Sequence, residues 1–320
     1  MLFPILLLLV GLAILLVGAE VLVRGSSSLA SKMHISPLVI GLTIVAFGTS
    51  APELIVNIFS ATAGTTDLAI GNIIGSNIAN ILLIVGISAS IFPLVVKRST
   101  VWKEIPFALL AIVLVFVMAN DALFDRVPFN ILTRTDGITF MSLFIIFMYY
   151  IFSLMRSEAQ NEAVEKVKEY STGLSVLFSI VGIGALFFGG KLLVDNATEL
   201  ALIAGLSESL IGLTVVAIGT SLPELATSII AALHKHSDIA VGNVVGSNIF
   251  NVLWILGLTS TITPLPFNIQ ANIDVGVCIA ATVLLFLAMF VGKKHRVDRW
   301  QGIIFILLYI GYTAYLIQRG

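Results

Sequence analysis

Two glutamates, Glu53 and Glu224, stand in the middle of otherwise apolar stretches, each one residue past a proline in the pattern G-T-S-x-P-E. Pro52 has no N–H to give the carbonyl of Gly48 and its ring crowds that oxygen, so a helix must kink or unwind there. Pro223 does the same to Gly219. The breaks bring the carbonyls of Ala46, Phe47, Gly48, Ala217, Ile218 and Gly219 into play, beside the hydroxyls of Thr49, Ser50, Thr220 and Ser221. Farther on, Asn72, Ser76 and Asn80 recur at i, i+4 and i+8 and share one helix face, as do Asn243, Ser247 and Asn251. Carboxylates, hydroxyls, amide oxygens and carbonyls with no His or Cys among them make a site for a hard cation: calcium, sodium or magnesium, not zinc, copper or iron. Two carboxylates neutralise one divalent ion. Calcium accepts about 6–8 flexible oxygens where magnesium prefers to keep water, so calcium fits better.

The elements holding these residues lie in a membrane. The chain has 320 residues, 58% hydrophobic and 11% charged, where soluble domains carry about 25% charged residues. A net charge of −1 excludes the basic footprint of nucleic-acid binding. The lone Cys278 sits in an apolar run and reads as a small buried hydrophobe. The apolar start lacks a basic lead and is too long for a signal-peptide core, so it reads as a spanning helix. A span needs about 20 apolar residues. Ten candidates follow: 3–23, 36–63, 68–93, 104–120, 137–154, 174–194, 208–234, 239–262, 271–291 and 300–317. With the N-terminus outside, inner loops and flanks hold 13 of the 17 basic residues, which places both termini outside a cell or inner membrane. A charged side chain at bilayer centre costs roughly 3 kcal/mol or more and ordinarily faces a cavity and a partner. No Lys or Arg lies in 41–94, and only Lys235, at a loop, in 212–265, so the charge that balances Glu53 and Glu224 comes from outside the chain.

Shifted by 171 residues, the chain matches itself without a gap: GLTIVAFGTSAPEL lies over GLTVVAIGTSLPEL and GNIIGSNIAN over GNVVGSNIFN, with 28 identities in the 54 positions of 41–94. That shift crosses five spans, an odd number, so the second copy is upside down relative to the first. The expected fold is an all-α polytopic membrane protein, ten transmembrane helices in two inverted-topology five-helix repeats. Residues 1–155 form the first (motif 41–80), 156–173 a cytoplasmic linker, and 174–320 the second (motif 212–251). Secondary transporters use this arrangement, with substrate sites near the midplane where repeats meet.

The duplicated G-T-S-x-P-E and G-N-x-x-G-S-N motifs resemble the α-repeats of the calcium/cation antiporter superfamily, most closely its prokaryotic sodium/calcium exchangers. The resemblance implies a transporter, not an enzyme, that exports calcium against inward sodium by alternating access, its first and sixth helices sliding past the rest. It implies Glu53 and Glu224 as central ligands, with Thr49 and Thr220 joining through their carbonyls. Ala46, Ser50, Ser76, Ala217, Ser221 and Ser247 would serve flanking sodium sites, and Asn80 and Asn251 complete the ligand set. Calcium and sodium are the transported ions, no cofactor is implied, and the chain is expected to act in the bilayer as a monomer. Asn251 stands where certain relatives carry Asp, leaving two acidic ligands rather than three and arguing against potassium co-transport.

Sodium and calcium share a taste for oxygen, so competition for one cage is a direct route to antiport. Protons titrating Glu53 and Glu224 could do the same work, which keeps proton/calcium exchange as the rival reading. A calcium channel is a weaker one, needing no ligands tight enough to occlude the ion. No nucleotide-binding motif is visible, so ion gradients supply the drive.

Around the motifs, Gly71 with Gly75 and Gly242 with Gly246 are small-x-x-x-small pairs for close helix approach. Glu20–Arg24 and Lys191–Asp195 are i, i+4 charge pairs at helix ends or latches of a sliding pair. Asp67 and Asp238 are expected as N-caps. His34, His234, His236 and His295 read as surface residues. Trp102, Trp300, Tyr309, Tyr312 and Tyr315 read as interface anchors or lipid-facing packing.

Overall fold

The structure, a computed structural model, describes residues 2–33, 35–158, 170–203 and 217–319. His34 and most of the 156–173 linker lie outside them, as does the start of the seventh expected span. Among the described residues eight helices are long and apolar enough to cross a membrane. A ninth is gained if Pro37–Thr49 and Ala51–Thr62, bent by 45°, count as one span. Leu222–Leu233 is a further, shorter apolar helix. The expectation of an all-helical membrane chain holds, with one amendment: Leu94–Val95 pairs antiparallel with Arg296–Val297, and Ile131–Leu132 with Leu265–Pro266, as two short ribbons between helices.

The two helices that carry the polar stripes form the centre. In Ser237–Ile262, 94% of the apolar window is buried, and in Thr66–Ile91, 78%, against 17% for Arg134–Met155 and Arg299–Arg319 at the outside. Polar residues therefore line the inside and apolar ones the periphery, as a bilayer requires. Gly242 explains part of this packing: a Cβ there would come within 2.9 Å of the Leu38 carbonyl, and one on Gly246 within 2.8 Å of the Ala46 side chain. Gly71 and Gly75 meet nothing among the described residues, and the segment the repeat would set against them begins outside those residues.

The first and sixth spans are longer than expected, running over Leu2–Met33 and Thr172–Ile203. The run Ser26, Ser27, Ser28 looks like an end of hydropathy, yet Ser26 Oγ bonds back to the Leu22 carbonyl (2.7 Å) and Ser28 Oγ accepts from Ser175 Oγ (2.9 Å). Hydroxyls satisfied in this way do not stop a helix. These two helices pack antiparallel along their length through glycines seven residues apart. A Cβ on Gly11, Gly18 or Gly25 would fall 2.7–2.8 Å from Leu193, Ala185 or Phe178, and one on Gly182 or Gly189 2.6–2.7 Å from Leu22 or Leu15.

The longer helices move the charge pairs. Glu20–Arg24 (2.5 Å) and Lys191–Asp195 (2.8 Å) exist, but inside helices rather than at their ends. His234 is exposed, as expected, and its Nε2 lies 3.4 Å from Glu20 Oε2. Asp67 and Asp238 sit in first turns, where a carboxylate suits the helix dipole, while Thr65 and His236 hold the N-cap positions. Cys278 is buried. Trp102 and Trp300 are half-exposed, as anchors would be, but Tyr312 turns inward and donates to Asp274 Oδ1 (3.0 Å), whose carboxylate also takes both ends of the Arg319 guanidinium.

Candidate functional site

Each proline break is realised as a change of helix at one serine. Thr49 ends a helix, Ser50 adopts φ −82° and ψ 7°, and Ala51–Thr62 begins with Pro52 in its first turn, where a missing N–H costs nothing. Ser221 (φ −86°, ψ 5°) repeats this between Ala217–Thr220 and Leu222–Leu233. A carboxylate in the first turn then projects from a helix start at the break.

The two breaks face each other through crossed contacts. Ser50 Oγ donates to Glu224 Oε1 (3.0 Å) and lies 3.1 Å from Ser247 Oγ, which is itself 3.4 Å from Glu224 Oε1. In the mirror arrangement Ser221 Oγ lies 3.4 Å from Glu53 Oε1 and 3.1 Å from Ser76 Oγ. Thr49 Oγ1 reaches Asn243 Oδ1 (3.1 Å) and Thr220 Oγ1 reaches Asn72 Oδ1 (3.2 Å). Eleven of the twelve expected site residues, all but Ala217, are described to the side chain, and none is more than 8% exposed. Of Ala217 the structure describes the backbone only, at the start of its short helix.

Among the described residues neither glutamate has an ion-pair partner, and no cluster of three His, Cys, Asp or Glu converges anywhere. Glu53 Oε2, Glu224 Oε2, Asn80 Oδ1 and Asn251 Oδ1 are all buried without a hydrogen-bond donor. Orphaned buried acceptors are expensive, and four oxygens of this kind fit a desolvated hard cation. Not every freed carbonyl is idle: the Ala46 oxygen accepts from Ser50 N (3.0 Å) and Thr49 Oγ1 (3.3 Å), and that of Ile218 from Ser221 N (3.1 Å). The Thr49 hydroxyl has one proton and two acceptors, so turning fully to Asn243 leaves the Ala46 oxygen with the Ser50 N–H alone and one lone pair free.

Sequence reasoning passed over Asn57, Asn77, Ser228 and Asn248. Asn243 Nδ2 donates to Ser228 Oγ (3.0 Å), Asn57 Nδ2 to the Ala69 carbonyl (2.7 Å), and Asn77 and Asn248 hydrogen-bond across the pseudo-repeat. The signal was present, since Asn77 and Asn248 match at the same 171-residue offset, but they lie off the i, i+4, i+8 stripe.

The family model described as sodium/calcium exchanger protein matches residues 3–153 and 174–318, nearly the whole chain. The chain belongs to the sodium/calcium exchanger family. This is a family of transporters, and membership agrees with the resemblance drawn from the motifs. CaxA of Alkalimonas amylolytica is 38% identical over 96% of this chain and 97% of its own length. The inner membrane protein YrbG of Escherichia coli (strain K12) is 40% identical over 81% and 79%. Among solved structures, the sodium-calcium exchanger NCX_Mj soaked with 2.5 mM Na+ and 0.1 mM Sr2+ superimposes with a TM-score of 0.84 at 33% identity, covering 98% of each chain. The all-helical polytopic fold described above is therefore that of a sodium-calcium exchanger.

Proposed function

We propose that this chain exchanges calcium for sodium across the membrane by alternating access, with the ions held near the midplane between the two proline breaks. The observation that carries this reading is the set of four donor-free buried oxygens on Glu53, Glu224, Asn80 and Asn251, next to the crossed serine–glutamate contacts. Glu53 and Glu224 supply the charge. Thr49, Thr220, Ser50, Ser221, Ser76, Ser247, Ala46 and Ala217 supply neutral oxygens around them.

In this reading the short Ala217–Leu233 region completes a tenth span, and the chain is two inverted five-helix repeats, 1–155 and 174–320, joined by the 156–173 linker. Both termini lie outside, and one chain suffices for transport. Leu2–Met33 and Thr172–Ile203, fastened by their glycines, move as one piece past the centre. A cavity of about 580 Å³ between Thr172–Ile203 and the two proline helices, lined by Pro52, Val194, Gly219, Thr220 and Pro223 among others, provides room beside the site on that moving face.

Ion binding to purified protein tests the site apart from transport. Calorimetric titration should show calcium binding that sodium displaces and that Glu53→Gln or Glu224→Gln removes without loss of the folded, monodisperse protein. Undiminished binding in both variants would place the ions elsewhere.

A further inference from the structure

Asn77 and Asn248 belong to no ligand set above, yet their geometry governs two residues that do. Asn77 Nδ2 donates to the main-chain carbonyl of Asn248 (3.3 Å), and Asn248 Nδ2 returns the bond to that of Asn77 (3.4 Å). A main-chain carbonyl can only accept, so the nitrogen end of each amide is fixed. The oxygen ends are then fixed as well: Asn77 Oδ1 accepts from Asn251 Nδ2 (3.0 Å), and Asn248 Oδ1 from Asn80 Nδ2 (2.9 Å). Because an amide oxygen can only accept and the sole donor on an asparagine side chain is its NH₂, Asn80 and Asn251 must spend their NH₂ groups on this clamp and turn their oxygens the other way. Both of those oxygens are buried and donor-free, as is Asn57 Oδ1, which takes no part in the clamp. The backbone contributes: π turns begin two residues after each clamp residue, over Ala79–Ile84 and Phe250–Leu256, and such turns redirect side chains at functional sites.

We infer that Asn77 and Asn248 are positioning residues for ion exchange, setting the amides of Asn251 and Asn80 so that the cation meets oxygen and never NH₂. The inference rests on the proposed ion site. An amide's two ends are nearly alike in shape, so nothing but hydrogen bonding selects between them. With only two carboxylates in the cage, the neutral oxygens carry much of the coordination, and an amide turned the wrong way removes a ligand and presents a positive dipole instead.

The test uses a property that amides have and carboxylates lack. In reconstituted vesicles, Asn77→Ala should raise the calcium KM of sodium-driven uptake by about tenfold or more, with the maximal rate nearly kept. In an Asn251→Asp background the same Asn77→Ala change should shift KM by no more than about twofold, because a carboxylate offers oxygen either way round. Asn248→Ala with Asn80→Asp is the mirrored pair, and it decides on the same terms should Asn77→Ala fail to fold. A KM rise that persists in the Asp background, or a fall in rate and folded yield with KM unchanged, overturns the positioning role. An unchanged KM in Asn251→Ala overturns the ion-site assignment itself, whereas a raised KM there beside a normal one in Asn77→Ala overturns the inference alone.

Discussion

Ser50 and Glu224, 174 positions apart, meet through a hydrogen bond of 3.0 Å from Oγ to Oε1, and Ser221 approaches Glu53 at 3.4 Å in the reciprocal sense. Each half of the chain thus contacts the carboxylate of the other half. A hydrogen bond to a charged group contributes about 1.5–3 kcal/mol. Ser50→Ala should therefore weaken calcium binding by about 10–100-fold while the protein stays folded. Titration of the variant checks this, and unaltered affinity would show that the crossed contact does not shape the site.

The glycine contacts between Leu2–Met33 and Thr172–Ile203 leave no room for side chains. Gly182→Leu forces atoms into the backbone of Leu22 and should cost about 1–3 kcal/mol of stability and most of the transport, whereas Gly184→Ala, with nothing within 4 Å among the described residues, should behave as wild type. Thermal unfolding in detergent together with uptake assays separates the two. Equal tolerance at both positions would contradict the fastened pair.

Glu104 is buried at the start of the helix Glu104–Met118, outside both proline breaks. Its Oε1 accepts a short hydrogen bond from the Tyr150 hydroxyl, while Oε2 has no donor. Tyr150→Phe strands both carboxyl oxygens and should destabilise the protein by about 1–3 kcal/mol, with the calcium KM unchanged. A KM shift without a stability loss would assign Glu104 to transport instead.

Cations and protons compete for the same carboxylate oxygens. Lowering the pH on the calcium side should raise the calcium KM, and saturating calcium should restore the rate. Sodium dependence should survive throughout. A maximal rate that follows the pH gradient at fixed sodium would favour proton coupling.

The Pro-Glu breaks were legible because Pro52 and Pro223 cannot donate to the carbonyls before them, and the two buried polar stripes because the internal repeat reproduced polar residues in register. Helix lengths were less legible. Hydropathy ends the first span at Val23, short of Ser26–Ser28, since it does not register hydroxyls that bond back to a carbonyl or across to Ser175. The contact of His234 with Glu20 and the inward turn of Tyr312 toward Asp274 depended on partners distant in sequence. Asn77 and Asn248 were visible as repeated residues, but their role lies in which end of an amide faces which neighbour, a fact only three-dimensional structure supplies.

The most direct measurement is radiolabelled calcium uptake into proteoliposomes loaded with sodium and diluted into sodium-free or sodium-containing buffer, beside Glu53→Gln. The account expects uptake that requires the outward sodium gradient and vanishes in the variant. Uptake that ignores sodium and follows a pH gradient, or that persists in Glu53→Gln, would contradict it.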